Sequence, residues 1–437
     1  MEQQQQRNWK LPFFSIWTGQ AFSLLGSTIV QFALVWWLTD LTESATILAT
    51  ASLVALLPGI LLSPLAGAYI DRWNRRTVMI VADSLIALTT LGLAYLFWAD
   101  VVQVWHIYVV MAIRAIGGTF HWPAMQASTS LMVPQKHLTR VAGINQTLNG
   151  VLNIAGPPLG ALLMGLLPIY GVVSVDVVTA LLAVVPLCFV HIPQPRRSDA
   201  GPAAKKPSIW SDILEGWHYV RGWSGLLALI AMALILKIAL TPAFSLLPLL
   251  VKKHFQGGAA QLALLDAVAG VGFIIGGLVL SVWGGFKRKI YTTMLGIIVA
   301  GLSFLVLGVT PGNAFWLGLG SVAVLGLMIP LVDGPIMAIV QGVVAPEIQG
   351  RVFTLMNSLL SLTSPIGLIM AGPLSDGLGL QVWYLAAGVL SIGVGVGGYT
   401  IPALKNIEEN SNGHRPDSVI EPSQPIEAET PQHLLAD

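Results

Sequence analysis

Seven ionisable side chains interrupt the long apolar runs of this sequence: Asp83, Arg114, His121, Asp176, Lys237, Asp266 and Asp333. Set in mid-bilayer, such a residue costs about 2.5–3.5 kcal/mol on insertion scales, so each needs a reason. Arg114 and His121 stand seven apart, about 20° from alignment on one helix face, with Gly117 and Gly118 between them. That face offers a fixed cation and a titratable group to a cavity; the plainer alternative is a helix–helix pair. Asp333 lies in IPLVDGPIM, between Pro330 and Pro335. Such interruptions loosen backbone near binding sites, and a carboxylate shielded from water can hold a proton. Asp333 is therefore expected to take a proton from one side and release it to the other. Lys237 is either a cavity residue or the structural partner of an acid. Asp83 is expected to pair with the basic loop before it. Asp176 and Asp266 are expected near outer helix ends, within reach of water.

Uncharged polar residues form stripes as well. Gln20, Ser27 and Gln31 follow spacings of seven and four, with Trp17 on the same face. They suit contacts to a large ligand or hydrogen bonds between helices. Asn145, Asn149 and Asn153, and later Asn357, Ser361 and Ser364, read mainly as packing and hydrogen bonding between helices. The single cysteine, Cys188, lies in an apolar run, is expected to be buried, and rules out a disulfide within the chain.

The elements that must position these groups are membrane helices. The 437 residues are 55% apolar and only 10% charged, against about 25% charged in soluble domains. A bilayer-crossing helix needs about 20 mostly apolar residues. Twelve such spans are read: 12–38, 45–70, 77–98, 104–128, 139–166, 170–191, 222–251, 261–285, 290–310, 314–343, 350–375 and 380–403. The first apolar run is too long for a signal peptide core and reads as an uncleaved span. The alternating polarity of a β-barrel is absent. Eighteen of the 22 basic residues fall in the N-terminal segment, the even-numbered loops and the tail, which predicts that both termini face the cytoplasm. A net charge of +1 gives nucleic-acid binding no support. Four domains are expected: a six-helix bundle over 1–191, a cytoplasmic linker over 192–220 rich in Pro, Gly and basic pairs, a second bundle over 221–403, and a disordered cytoplasmic tail over 404–437.

The two halves superpose at a constant offset of 212 positions. Pro123 falls on Pro335, Met125 on Met337, Pro134 on Pro346, Asn145 on Asn357 and Gly160 on Gly372, while Arg75-Arg76 falls on Lys287-Arg288. His121 falls on Asp333. Two repeats of six helices in the same orientation are the layout of a major facilitator transporter.

Motifs carry the same resemblance. GAYIDRWNRR, residues 67–76, resembles the superfamily signature between the second and third spans, with Gly67, Asp71, Arg72, Arg75 and Arg76 in place. The resemblance implies that Asp71 latches the cytoplasmic face against the start of the eleventh span. IRAIGG resembles the fourth-span motif through Arg114 and Gly118. GPPLGA is similar to the motif of drug:proton antiporters, with Gly156, Pro157 and Gly160, but Ala161 stands where a second glycine is usual. Most of residues 9–403 further resembles the bacterial macrolide-efflux branch, in stretches such as IWTGQAFSL and GTFHWPAMQASTSLMVP. In this superfamily the first, fourth, seventh and tenth spans line a central cavity. The resemblance thus implies that His121 and Asp333 approach one site from opposite halves.

No GxxxxGKS/T phosphate loop, HExxH or GxSxG occurs. No enzyme activity and no cofactor or metal are expected, and an ion gradient must supply energy. The resulting expectation is an all-α membrane protein of twelve transmembrane helices, monomeric in the bacterial inner membrane. It would export amphipathic, macrolide-like drugs by proton antiport and alternating access. Export of an endogenous metabolite such as a siderophore or peptide antibiotic is the alternative, and a non-transporting sensor or scaffold is the alternative of another class. The expected partners are the small substrate, protons and lipid, not nucleic acid.

Overall fold

A hydrocarbon interior offers no water to free N–H and C=O groups, so a chain this apolar closes its hydrogen bonds within helices. The computed structural model describes residues 9–70, 72–190, 192–194 and 209–408. Twelve helices of 20 to 33 residues run through them: α1 (Lys10–Thr42), α2 (Ala45–Ile70), α3 (Arg75–Trp98), α4 (Val104–Met132), α5 (Gln135–Leu166), α6 (Ile169–Phe189), α7 (Ser224–Ser245), α8 (Ala259–Trp283), α9 (Lys289–Val309), α10 (Phe315–Val343), α11 (Pro346–Leu378) and α12 (Gln381–Thr400). Ten are long and apolar enough to cross a membrane; α4 and α5 match them in length only. Those two carry Arg114 and His121, and the asparagine stripe.

Three boundaries differ from expectation. Residues 209–220, read as linker, form with Arg221 a 13-residue amphipathic helix packed on α11, where Gly216 abuts the Arg351 carbonyl. The seventh span stops at Ser245, three residues before Pro248. The chain continues through Leu247–Leu249 into a π-helical turn, Leu250–His254. The tail is not free from residue 404 onward: Leu404 and Ile407 are buried, and the Glu408 carboxylate accepts a hydrogen bond from the Ile290 N–H at 3.0 Å. Residues 409–437 lie outside the described residues.

Helix packing follows the 212 offset. In the first six helices, α1 packs on α5 and α6, α3 on α4 and α6, and α2 on α4. In the last six, α7 packs on α11 and α12, α9 on α10 and α12, and α8 on α10. The two sets meet through α2 with α11 and α5 with α8, a pairing that is itself symmetric. Glycine permits the closest crossings. On α8 and α10, a Cβ at Gly276 or Gly326 would overlap the backbone of the other helix.

The sets are tied at one end. Asp40 and Lys252 form an ion pair at 2.6 Å, Thr46 donates to Asp376 at 2.7 Å, and the Ser52 and Ser245 hydroxyls are 2.6 Å apart. The largest apolar cluster lies there and draws on both sets, from Leu34, Trp36 and Leu38 to Leu250, Phe255 and Tyr384. Toward the other end the apolar clusters separate. One holds only residues of the later set, such as Trp223 and Met294; others hold only earlier ones, such as Ile16 and Met79.

Candidate functional site

The earlier set encloses a network of charges. Asp176 on α6 is 1% exposed and is ion-paired with Arg114 on α4. The Ser27 hydroxyl donates to one Asp176 oxygen at 2.9 Å and the Thr90 hydroxyl to the other at 3.1 Å. Arg114 also donates to the Ser27 carbonyl at 3.2 Å. Four helices, α1, α3, α4 and α6, therefore converge on one carboxylate. The expectation that water satisfies Asp176 near a helix end is overturned. Asp176 lies two turns inside α6, where neighbouring helices cover it.

One turn-pair along α4 sits a second cluster. His121 Nε2 lies 3.3 Å from Asp83 Oδ1 on α3, without the alignment of a hydrogen bond. The Gln20 amide of α1 donates to Asp83 Oδ2 at 2.9 Å. Asp83 and His121 are 5% and 6% exposed. Asp83 is thus paired inside the bundle, not with the basic loop before it, because its side chain points toward α1 and α4. A cavity of about 370 Å³ connects the two clusters, with Ser27, Gln31, Asp83, Arg114, Gly118 and His121 in its wall. Of the α1 stripe, Gln20 and Ser27 bond neighbouring helices, Trp17 donates to Asn145 of α5 at 2.8 Å, and Gln31 faces the cavity.

The later set holds a different cavity, of about 570 Å³, lined by Met232, Lys237, Phe244, Phe304, Met328 and Asp333. Phe244 and Phe304 meet edge to face at 5.7 Å. Lys237 and Asp333 are enclosed by helices yet exposed to this cavity. His121 and Asp333 do not share a site: each lines the cavity of its own six helices. Sequence equivalence places them at matching depth, but each faces inward within its own set. Asp266 is half-buried two turns into α8.

The loop motif is only partly visible, since Asp71 lies outside the described residues. Asn74 caps α3, accepting from the N–H groups of Arg76 and Thr77. Arg75 donates to the Ala127 carbonyl near the end of α4 at 2.8 Å, and Arg76 to the Leu187 and Cys188 carbonyls in the last turn of α6. Arg76 thus satisfies carbonyls that the end of α6 leaves free, where the dipole favours a cation. The equivalent Arg288 reaches the Lys405 carbonyl beyond α12 at 3.4 Å. Arg72 is exposed, and a Cβ at Gly67 would meet nothing. Cys188 is exposed, not buried: it sits on the outward face of the last turn of α6. The α5 motif works by contact. Gly156, Pro157 and Gly160 are buried, and a Cβ would collide with Thr28 at Gly156 and with Phe32 at Gly160, both on α1. Among the described residues no three His, Cys, Asp or Glu side chains converge as metal ligands would.

Residues 16–368 and 238–421 match the Major Facilitator Superfamily. The chain belongs to that superfamily. It is a multi-pass membrane transporter by descent, with neither strand nor metal cluster among its described residues. It is 34% identical to macrolide efflux protein A of Streptococcus pyogenes over 391 residues, covering 89% of this chain and 95% of that protein. It is 26% identical to the multidrug efflux pump Tap of Mycobacterium tuberculosis over 411 residues, 91% of this chain and 95% of the pump. The solved nucleoside transporter NupG superposes with a TM-score of 0.67 at 15% identity, over 89% of this chain and 98% of that one, a likeness of fold.

Asp176 and Asp83 are the residues sequence reading misplaced. The signal was present: Arg114 needs a buried anion, and these are the two acids inside the first six spans.

Proposed function

We propose that the chain exports amphipathic, macrolide-like drugs from a bacterial cell, exchanging drug for protons by alternating access. The observation that carries this reading is the 570 Å³ cavity, whose aromatic and methionine walls surround a lysine and a carboxylate. Apolar walls with a few placed polar groups are the composition of a small-molecule site. Methionine and aromatic surfaces adapt to varied ligands. Asp333 is the counter-charge for a basic amine on the drug, and Lys237 its partner when the cavity holds only water. The likeness to macrolide efflux protein A along nearly the whole chain supports the drug class.

In this reading the protein acts as a monomer in the inner membrane, with both termini cytoplasmic, and the bundles 1–191 and 221–403 rock about their shared face. The counterpart packing pairs support that division, with the linker carrying a docked helix. The ties at the Asp40–Lys252 end correspond to a state closed outside and open toward the cytoplasm.

An efflux-deficient host carrying the gene should tolerate erythromycin better than the empty host. Asp333→Asn should remove most of that protection. A charge-assisted contact is worth about 1.5–3 kcal/mol, or roughly tenfold or more in apparent affinity. Equal sensitivity of the two hosts, with the protein present in the membrane, rejects the drug reading.

A further inference from the structure

We propose that Asp83 and His121 hold one exchangeable proton between them, and that this pair couples the proton gradient to movement of α1. The coupling rests on the exporter reading above; the shared proton does not. A buried charge must be matched by another. In the cavity of the earlier helices, the charge of Arg114 is matched by Asp176, which already takes hydrogen bonds from Ser27 and Thr90. That leaves Asp83 with His121 as the one titratable group facing it. From α1 it meets the neutral amide of Gln20, and α2 adds only Ala55 to the wall. With one proton, as carboxylate and imidazolium or as acid and imidazole, the pair is neutral. Without it, a buried anion stands uncompensated beside a 370 Å³ cavity. The deprotonated pair therefore favours any arrangement that admits water or a cation.

Gln20 gives the charge state a mechanical outlet. Its amide nitrogen donates to Asp83 at 2.9 Å, while its oxygen has no hydrogen-bond partner in its buried position. Protonation of the carboxylate weakens the first contact and frees the side chain to turn. Gln20 lies on α1, whose far end carries Asp40 of the interset ion pair. Loss or gain of the proton thus changes the hold of α3 on a helix that contributes to closing the opposite end.

The test uses the full chain in nanodiscs and in proteoliposomes. Without drug, infrared difference spectra between acid and alkaline buffer should contain a carboxyl and a histidine-ring signal that disappear together in either Asp83→Asn or His121→Gln. Independent loss of the two signals, or neither signal in the wild type, overturns the shared proton. In proteoliposomes with erythromycin, uptake driven by a pH gradient is compared with downhill uptake. Their ratio should fall about tenfold in His121→Gln, which keeps a hydrogen-bonding side chain, and in Asp83→Asn. A ratio unchanged in both variants overturns the coupling, as does a fall in both uptake modes by the same factor, which marks a structural role. Absence of erythromycin uptake by the wild type rejects the drug reading and leaves the infrared outcome decisive for the pair.

Discussion

Arg114 and Asp176 place two full charges inside the helix bundle, with Asp176 almost wholly buried, and each is matched there by the other. Pairing offsets much of the desolvation, and the Ser27 and Thr90 bonds satisfy further lone pairs. Removing one partner leaves the other uncompensated. Arg114→Ala should lower unfolding free energy by about 3–5 kcal/mol, read by denaturation in detergent. Replacing both, as Arg114→Met with Asp176→Leu, should recover most of that loss. Equal loss in the single and double variants contradicts the pairing. The spacing put Arg114 and His121 on one helix face and left open whether that face met a cavity or another helix; Arg114 does both. The depth of Asp176 was not legible. Distance from a loop reads as distance from water only for a helix on the rim, and α1, α3 and α4 enclose this part of α6.

At the scale of elements, the polarity of α5 has a packing explanation. Its glycines fit against α1, Asn145 meets Trp17, and Gln146, Thr147 and Asn153 are exposed. Gly160→Val should push Phe32 aside and part α1 from α5. Overpacking of this kind costs about 1–3 kcal/mol, and Gly165→Val, where a Cβ meets nothing, should cost far less. Thermal unfolding of the two variants in detergent separates them; equal midpoints contradict the close-approach role. Helix positions were legible because a bilayer allows few alternatives to a helix. The helix at 209–221 was not. It has only 13 residues, no apolar run, and depends on its docking against α11. The π-helical turn after α7 was hidden for a related reason: its residues read as a continuing span until Pro248 is weighed.

For the molecule as a whole, the 212 offset organises packing but not chemistry. Gln20, Arg114 and Asp176 correspond to Met232, Gly326 and Gly388. Where the earlier helices meet through charges, the later ones meet through glycine: Gly388 abuts the Gly301 carbonyl, and Gly326 abuts Ala269. The closed end depends on contacts between sets. Its ion pair is partly exposed, so Asp40→Asn should shift the balance of open and closed forms by only about two- to fivefold, as a pair worth up to about 1 kcal/mol does. Asp40→Lys should do more, and adding Lys252→Asp should reverse it. Labelling of a single cysteine introduced at the interface reports each; no reversal by the exchange contradicts the pair. The hydrogen bond from Lys252 to Asp40 raises the amine above its ordinary value of 10.5. Its contribution is complete below that pH and lost only as pH climbs through the raised value, so mildly alkaline buffer should not loosen this end.

Asp40 and Lys252 are also separated in sequence by 212 positions, the repeat offset itself. They are one position, met twice, and they touch across the pseudo-twofold axis. In an ancestor assembled from two copies of a single six-helix chain, that position would face its own duplicate. Two aspartates or two lysines would repel there. Opposite charges require two independently mutable copies, so this contact could arise only after duplication. It records, in one pair of side chains, that the halves ceased to be interchangeable.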